Sequence, residues 1–580
     1  LSFFTVKSYS PQRNNDLVLL NYQKIKSMKT TNNIYSAIFV ATALVAATLG
    51  LSSCEKYLNE VESKQQIQAQ NVKTVQELDI LMTGAYSGIA REVAFGGNAL
   101  VMGETFADLV AINNTNYRNT PGRSSRVYTW THREEDYGYQ AEFLQWSTFG
   151  LNNSNNVLEI LNTGQVQTPG ETDPRKDIAL QKGRIEGDAR FVRALCIFEQ
   201  TRLLGYPWGH TPDNAHPGPV GNYKSISGFS DLAYPRMSVK AAYDSVLNDL
   251  RLAERLLPEN YNPAQHLPDM QPRANKYAAL ALMARVYWQQ DNVDSCLAVC
   301  NRLLGTGTQN RFPLVAGSQM LSQIFQRTGI MPSTNSANRD EVIFELVNVI
   351  GRNARTNNGA PLRTHYTLQS VYTPAQLGNV NALTSGPSLR MSQRFKTLAN
   401  FERSRDLRYR TLLDTTQAAT AGTLWNSPNR LWFSRKWGAL GTANLGPANG
   451  VNSNIVLYRS AEFLLIRAEM NQRKGNAALA LTDLNAVRTR AGLAALASIP
   501  ANLLEEIRTE FLRETFGEGS RIHNLRRLRQ PINPGDRSLS PNGVDCVMSN
   551  CNEVPWNSRF LVFVVPQTLL DRNPLMIQND

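Results

Sequence analysis

Residues Tyr458 to Leu493 read YRSAEFLLIRAEMNQRKGNAALALTDLNAVRTRAGL, and this stretch predicts two amphipathic helices joined by one short turn. In the first, Phe463, Ile466, Arg467 and Met470 recur at spacings of three and four, with small Ala461 and Ala468 among them, so one face can approach a neighbour closely. Gly475 and Asn476 break the run. The second helix stripes Leu481, Leu484 and Val487 along one side and stops at Gly492, a residue suited to a left-handed helix end. The unit has the size of a tetratricopeptide (TPR) hairpin. A second one is expected over Ala274–Gln290 and Val293–Leu304: aligning its turn at Asp291-Asn292 with Gly475-Asn476 puts Ala284 on Ala468, Leu297 on Leu481 and Leu303 on Val487.

Around these hairpins the chain is long enough, at 580 residues with 42% hydrophobic and 19% charged, to bury a large core. Its net charge of +12 is not a nucleic-acid signature. Residues 1–54 hold Lys7, Arg13, Lys24, Lys26 and Lys29 against Asp16 alone, which leaves +8 spread over the remainder, and the densest basic cluster is Arg526, Arg527 and Arg529. No nucleic-acid partner is expected.

The first 27 residues show no clear periodicity and read as an upstream extension. From Met28 one basic residue, Lys29, precedes an apolar run from Ile34 to Leu51 and then Ser52, Ser53 and Cys54, the three parts of a secretory signal over 28–53. A membrane-spanning helix is the competing reading, because the run lies near the lower limit of about 17 residues for crossing a bilayer. Leu51-Ser52-Ser53-Cys54 also resembles a bacterial lipobox, in which the cysteine takes the lipid, palmitate included, and residues 54–72 would then be anchor and tether. Export permits disulfides. Cys546 and Cys551 flank a short polar loop and could close a small clip, whereas Cys196, Cys296 and Cys300 lie on apolar helical sequence and read as core thiols.

Further helices are expected at Leu78–Gly88, Phe143–Leu161, Ile185–Leu204, from an N-cap at Ser238 to Leu257, and at Leu503–Phe516, with strand-like runs at Val342–Val349 and Phe560–Val565. Two regions break the period. Gly96–Tyr139 is rich in Asn, Thr, Arg and Tyr, and 305–450 reads as a long irregular insertion. Loops longer than about 12–15 residues tend to be functional or disordered.

Several dispersed segments resemble the SusD/RagB family of outer-membrane nutrient-binding lipoproteins. They are Cys54-Glu55-Lys56-Tyr57-Leu58 at the start, DARFVRALCIFEQTRLLGYPWG from Asp188, AAYDSVLNDLRLAERLLP from Ala241, the hairpin at Tyr458, IRTEFLRETFGEGSRIHNLRR from Ile507, and Pro566 with Asn573-Pro574-Leu575 at the end. Phe511, Thr515 and Asn524 depart from the family pattern, which has Arg, Leu and Asp there. The resemblance implies a mainly all-α fold, a TPR-like helical hairpin scaffold beside a large irregular region, divided into an N-terminal part (73–270) and a C-terminal part (271–580). It implies a lipid-anchored protein at the surface of the outer membrane. Its implied partner is a SusC-like TonB-dependent transporter, to which it would deliver a glycan or, in some members, a peptide.

For chemistry, Glu510, Glu514 and Glu518 repel one another at a spacing of four and so require cations; Arg508, Arg513, Arg521 and Arg527 are the nearest in sequence. The six histidines lack metal-ligand spacing, no metal or other cofactor is expected, and no nucleophile or phosphate-loop motif is present, which favours binding over turnover. Sugar rings are held by aromatic faces and planar polar groups. Asn113, Asn116, Tyr117, Arg118, Tyr128, Trp130 and Tyr137 offer that mixture in one loop, with Trp425 and Trp432 as further candidates. Two other classes stay open: a secreted glycoside hydrolase would need two carboxylates roughly 5–9.5 Å apart in one cleft, and a TPR-type assembly scaffold would need a bare helical groove.

Overall fold

The computed structural model describes residues 71–91, 93–112, 139–226, 231, 233–267, 270, 272–306, 310–327, 329, 339–347, 389–414, 432–437, 453–533 and 553–579. In chain order these form α1 (Val75–Ile89), α2 (Asn98–Thr105), β1 (Val110–Ile112), α3 (Tyr139–Thr163), α4 (Ile178–Leu204), α5 (Val239–Leu256), α6 (Lys276–Gln289) and α7 (Val293–Leu304). There follow β2 (Val342–Leu346), β3 (Leu389–Met391), α8 (Gln393–Ala399), α9 (Leu407–Leu412), β4 (Leu413–Asp414), β5 (Phe433–Ser434) and β6 (Ile455–Arg459). The chain ends with α10 (Ser460–Arg473), α11 (Ala477–Arg490), α12 (Leu503–Thr515), α13 (Arg521–Arg527) and α14 (Gln567–Leu570). The fold is mainly helical, as expected, and the strands form two-stranded antiparallel pairs β1–β3, β2–β6 and β4–β5.

Local chemistry sets the helix starts. Thr74 and Glu77 exchange side-chain and backbone bonds in a capping box at α1. Asp177 caps α4, Ser238 caps α5, Asn275 caps α6 and Asn292 caps α7, each accepting from a backbone N–H of the first turn. The turn between α10 and α11 uses Gly475 at φ +83°, and Gly492, at φ +82°, follows the end of α11. Gly492 fills the left-handed position that the sequence assigns to it, and Gly475 makes the expected break with a left-handed backbone as well.

Packing then runs along the chain: α1 lies against α3 and α4, α4 against α5, α5 against α6, and α6 against α7. The next layer is distant in sequence. Helix α7 packs on α10, which packs in turn on α11 and α12, so the two TPR-like hairpins are neighbours despite the chain between them. Ala284, Cys296, Leu303, Ala461, Ala468, Leu484 and Val487 are buried at this seam and within the hairpins. Polar groups cross it as well. Arg285 on α6 donates to Glu462 on α10 at 2.7 Å, Trp288 Nε1 donates to Glu469 at 3.0 Å, and Arg467 binds Asp483 and the carbonyl of Gly305.

Some expectations are corrected. Helix α4 begins at Ile178 rather than Ile185 because Asp177 supplies the cap. The region from Gly96 is not wholly irregular: it contains α2 and β1. Helix α12 stops at Thr515, where Phe516 turns extended and Gly517 and Gly519 take φ +74° and +76°, so Glu518 lies on a turn and not on the helix face of Glu510 and Glu514. The run Phe560–Val565 holds a single 3-10 turn, Arg559–Leu561, and extended chain whose backbone bonds go to Leu203 and the Gln578 side chain rather than to a ladder. The signal region with Cys54, and Cys546 with Cys551, lie outside the described residues; among those described, Cys196, Cys296 and Cys300 are buried free thiols.

Candidate functional site

Described residues that flank three poorly periodic stretches of sequence lie side by side. In the β1–β3 pair, Ile112 stands opposite Leu389 and Val110 opposite Met391. The residue before 113–138 therefore stands beside the residue after 348–388. Met391 N–H donates to the Trp432 carbonyl at 2.8 Å, and Trp432 leads into β5, which pairs with β4. The stretch 415–431 thus begins and ends beside the same strands. A buried acid fixes the junction. Asp108, 0% exposed, accepts from Arg521 Nε at 2.7 Å and from Arg394 Nε at 2.7 Å, while its carbonyl accepts from the Ser392 hydroxyl at 2.7 Å. Burial pushes the Asp108 carboxyl up, and the two guanidiniums more than offset this and hold it below the usual range.

Of the sequence candidates, Asn113, Asn116, Tyr117, Arg118, Tyr128, Trp130, Tyr137 and Trp425 lie outside the described residues. Trp432 is placed in the core and not at an exposed stacking position. It is 2% exposed, with Tyr409 5.2 Å away edge-on, Phe395 and Phe401 at 6.2 Å, and the cations of Arg403 and Lys396 over its ring at 5.6 and 5.7 Å. Its backbone carbonyl, not its ring, is what it gives to the junction.

Beneath the junction lies the acid cluster that the sequence flagged, with different partners. Glu514 is bound by Arg408, Arg459 and Arg490, Glu518 by Arg459 and Lys436, and Glu510 by Arg408, Arg513 and the more distant Arg488. Glu341, brought in just before β2, takes Arg459 and Arg490. Of the four arginines expected from proximity, Arg513 alone serves the cluster; Arg508 and Arg527 turn to Glu469, and Arg521 to Asp108. Burial raises Glu514, but Arg490, Arg459 and Arg408 hold its carboxyl well below the ordinary range. Lys436, fully buried, is pushed down to about 8 by burial despite Glu518. Nothing in local sequence announces Arg408, Lys436 or Arg490 as partners, because they come from other elements. This is a structural brace. Among the described residues no group of three or more His, Cys, Asp or Glu is arranged to hold a metal ion.

Two family models match the chain: one described as the SusD family over residues 402–580, and one described as starch-binding, associating with the outer membrane, over residues 56–288. The chain belongs to the SusD family. A SusD superfamily protein from Bacteroides thetaiotaomicron shares the fold with a TM-score of 0.69 at 19% identity, over 87% of this chain and 100% of its own. A SusD superfamily protein from Bacteroides vulgatus does so at 0.66 and 22% identity, over 88% and 99%. Surface glycan-binding protein A from Bacteroides uniformis gives 0.62 at 19% identity, over 87% and 99%. No curated protein matches the chain by sequence. For this SusD-family chain the acid cluster from Ile507 lies within the first matched region, and the α4 segment from Asp188 within the second.

Proposed function

We propose that the protein captures a glycan at the cell surface and delivers it, unaltered, to a SusC-like TonB-dependent transporter, held to the outer membrane by a lipid on Cys54. The reading rests on family membership and on the family description of starch binding associated with the outer membrane. One observation carries the site: Ile112 pairs with Leu389, next to Trp432, so the Asn- and Tyr-rich stretch 113–138 shares its root with 348–388 and 415–431. Aromatic and planar polar side chains from separate stretches can then converge on one ligand, as sugar recognition requires. A peptide is the alternative ligand within the family.

The test is calorimetric titration of the Cys54→Ala full chain with panels of polysaccharides and peptides. Heat with at least one glycan, and none with peptides, is the expected result. A peptide response with every glycan silent would replace the leading ligand class. The same variant should leave the membrane fraction, and its retention there would remove the lipid anchor from the scheme.

A further inference from the structure

A concavity lies where the turns of the helical hairpins meet. It is an open cleft of about 960 Å³, walled by Trp208 and His210 from the turn after α4, Asp291 from the turn between α6 and α7, Arg473 at the end of α10, and Arg527 and Arg529 at and beyond the end of α13. Pockets of roughly 300–1,000 Å³ are of ligand size.

Its charges are unequally matched. Arg473 is paired with Asp291, Arg527 with Glu469 at 2.8 Å, and Arg508, also in the wall, with Glu505 at 2.8 Å. Arg529 is exposed and has no carboxylate partner among the described residues; its guanidinium sits 5.5 Å over the Trp556 ring, with Nη2 3.0 Å from where a Cβ on Gly209 would stand. Among the described residues, one excess positive charge is therefore carried by a fork whose donors meet no acceptor. Such a fork calls for an acceptor-bearing ligand, and a guanidinium matches a carboxylate in geometry. Trp208 and the histidine ring of His210, stacked on Tyr206 at 4.2 Å, add half-buried flat surface for the C–H faces of a sugar.

We infer that this cleft is a second saccharide site, selective for a carboxylate-bearing sugar of the uronic acid class, whose carboxylate is held by Arg529. The inference rests on the reading of the chain as a glycan binder but uses none of the residues at the loop junction.

The test is titration of the full chain with a short oligogalacturonate, its neutral methyl ester and polyglutamate. The acid oligomer should bind, with affinity falling as salt rises, and the ester and polyglutamate should bind at least tenfold more weakly. Arg529→Gln should weaken the acid oligomer at least tenfold. Asp291→Asn, placed at φ +59° where asparagine is tolerated, should free Arg473 and tighten it several-fold. No binding of the acid oligomer, equal binding of the ester, equal binding of polyglutamate, or affinity unmoved in both variants would each overturn the inference. Binding of neutral glycans by the unsubstituted chain judges the proposed function separately.

Discussion

Arg408 and Glu514 are 106 residues apart in the chain, and Arg408 Nη1 donates to Glu514 Oε2 across 3.1 Å with both side chains buried. Glu514 also answers Arg459 and Arg490, so it neutralises charge arriving from three elements. Removing one partner of a buried ion pair leaves the others uncompensated, at about 3–5 kcal/mol. Glu514→Gln should lower unfolding stability by about that amount in a urea titration. The sign with pH follows. Glu514, Glu518 and Asp108 have folded-state pKa values depressed below their unfolded values, so their stabilisation is present above about pH 4 and is lost as pH falls through the folded values. The native chain should lose stability steeply below about pH 4, and Glu514→Gln less steeply. A variant as stable as the native chain would show that the network does not brace the frame.

Glu104 predicts the opposite slope. It is fully buried, one carboxylate oxygen accepts from Gly519 N–H at 2.9 Å, the other has no partner among the described residues, and burial lifts its pKa to about 7. The folded state therefore keeps a proton that the unfolded chain gives up, and stability falls as pH rises from about 4.5 through 7. Glu104→Gln should match the native chain near pH 5 and exceed it by roughly 2–3 kcal/mol above pH 7. Melting curves across that range check it, and a constant difference would refute it.

Gly103 has no room to grow. A Cβ there would stand 2.0 Å from the carbonyl oxygen of Gly519, and one on Gly519 would stand 2.7 Å from Leu100 Cα. The contact joins α2 backbone to backbone with the turn before α13. Gly103→Ala should cost about 3 kcal/mol or more by overpacking. Gly164→Ala is a control with open space around it, at φ +66°, and should cost less. Equal losses would show that the close approach is not what matters at Gly103.

Trp432 and Trp130 should separate stability from binding. Trp432→Ala empties a fully packed site and should cost about 3–5 kcal/mol, with glycan affinity little changed in the fraction that stays folded. Trp130→Ala should leave the melting temperature nearly unmoved and weaken glycan binding at least tenfold. Calorimetry on both variants decides. Loss of affinity with Trp432 alone would move the ligand surface to the aromatic cluster.

The hairpins were legible because each carries its own evidence: Phe463, Ile466 and Met470 state a helix, Gly475 states a turn, and Ser238 or Asn292 states a start, all within a few residues. The brace was legible on one side only. Glu510 and Glu514 announce a need for cations, but Arg408, Lys436 and Arg459 are brought to them by tertiary packing, and no local pattern encodes that meeting. The end of α12 falls within one residue of the expected Phe516, but Glu518 continues the spacing of four without sharing the helix face, because Gly517 and Gly519 turn the chain. Trp432 misled for a related reason: an aromatic residue in aperiodic sequence has no neighbours in the chain to declare it buried, and Phe395, Phe401 and Tyr409 reach it from α8, α9 and the segment between them.

Helix α7 ends at Leu304 and rests on α10, while β2 pairs with β6 just before α10 begins. The frame therefore leaves and re-enters the long stretch between them at adjacent points, like a spliced insert held at both cut ends. Lengthening such an insert costs only closure entropy, about 0.6 kcal/mol for each doubling. Residues can therefore be gained or lost between its buried elements, away from Glu341, Arg408, Trp432 and Lys436, without the hairpins having to be refolded around the change. The seam between α7 and α10 keeps the hairpins in register whatever the length of the chain between them.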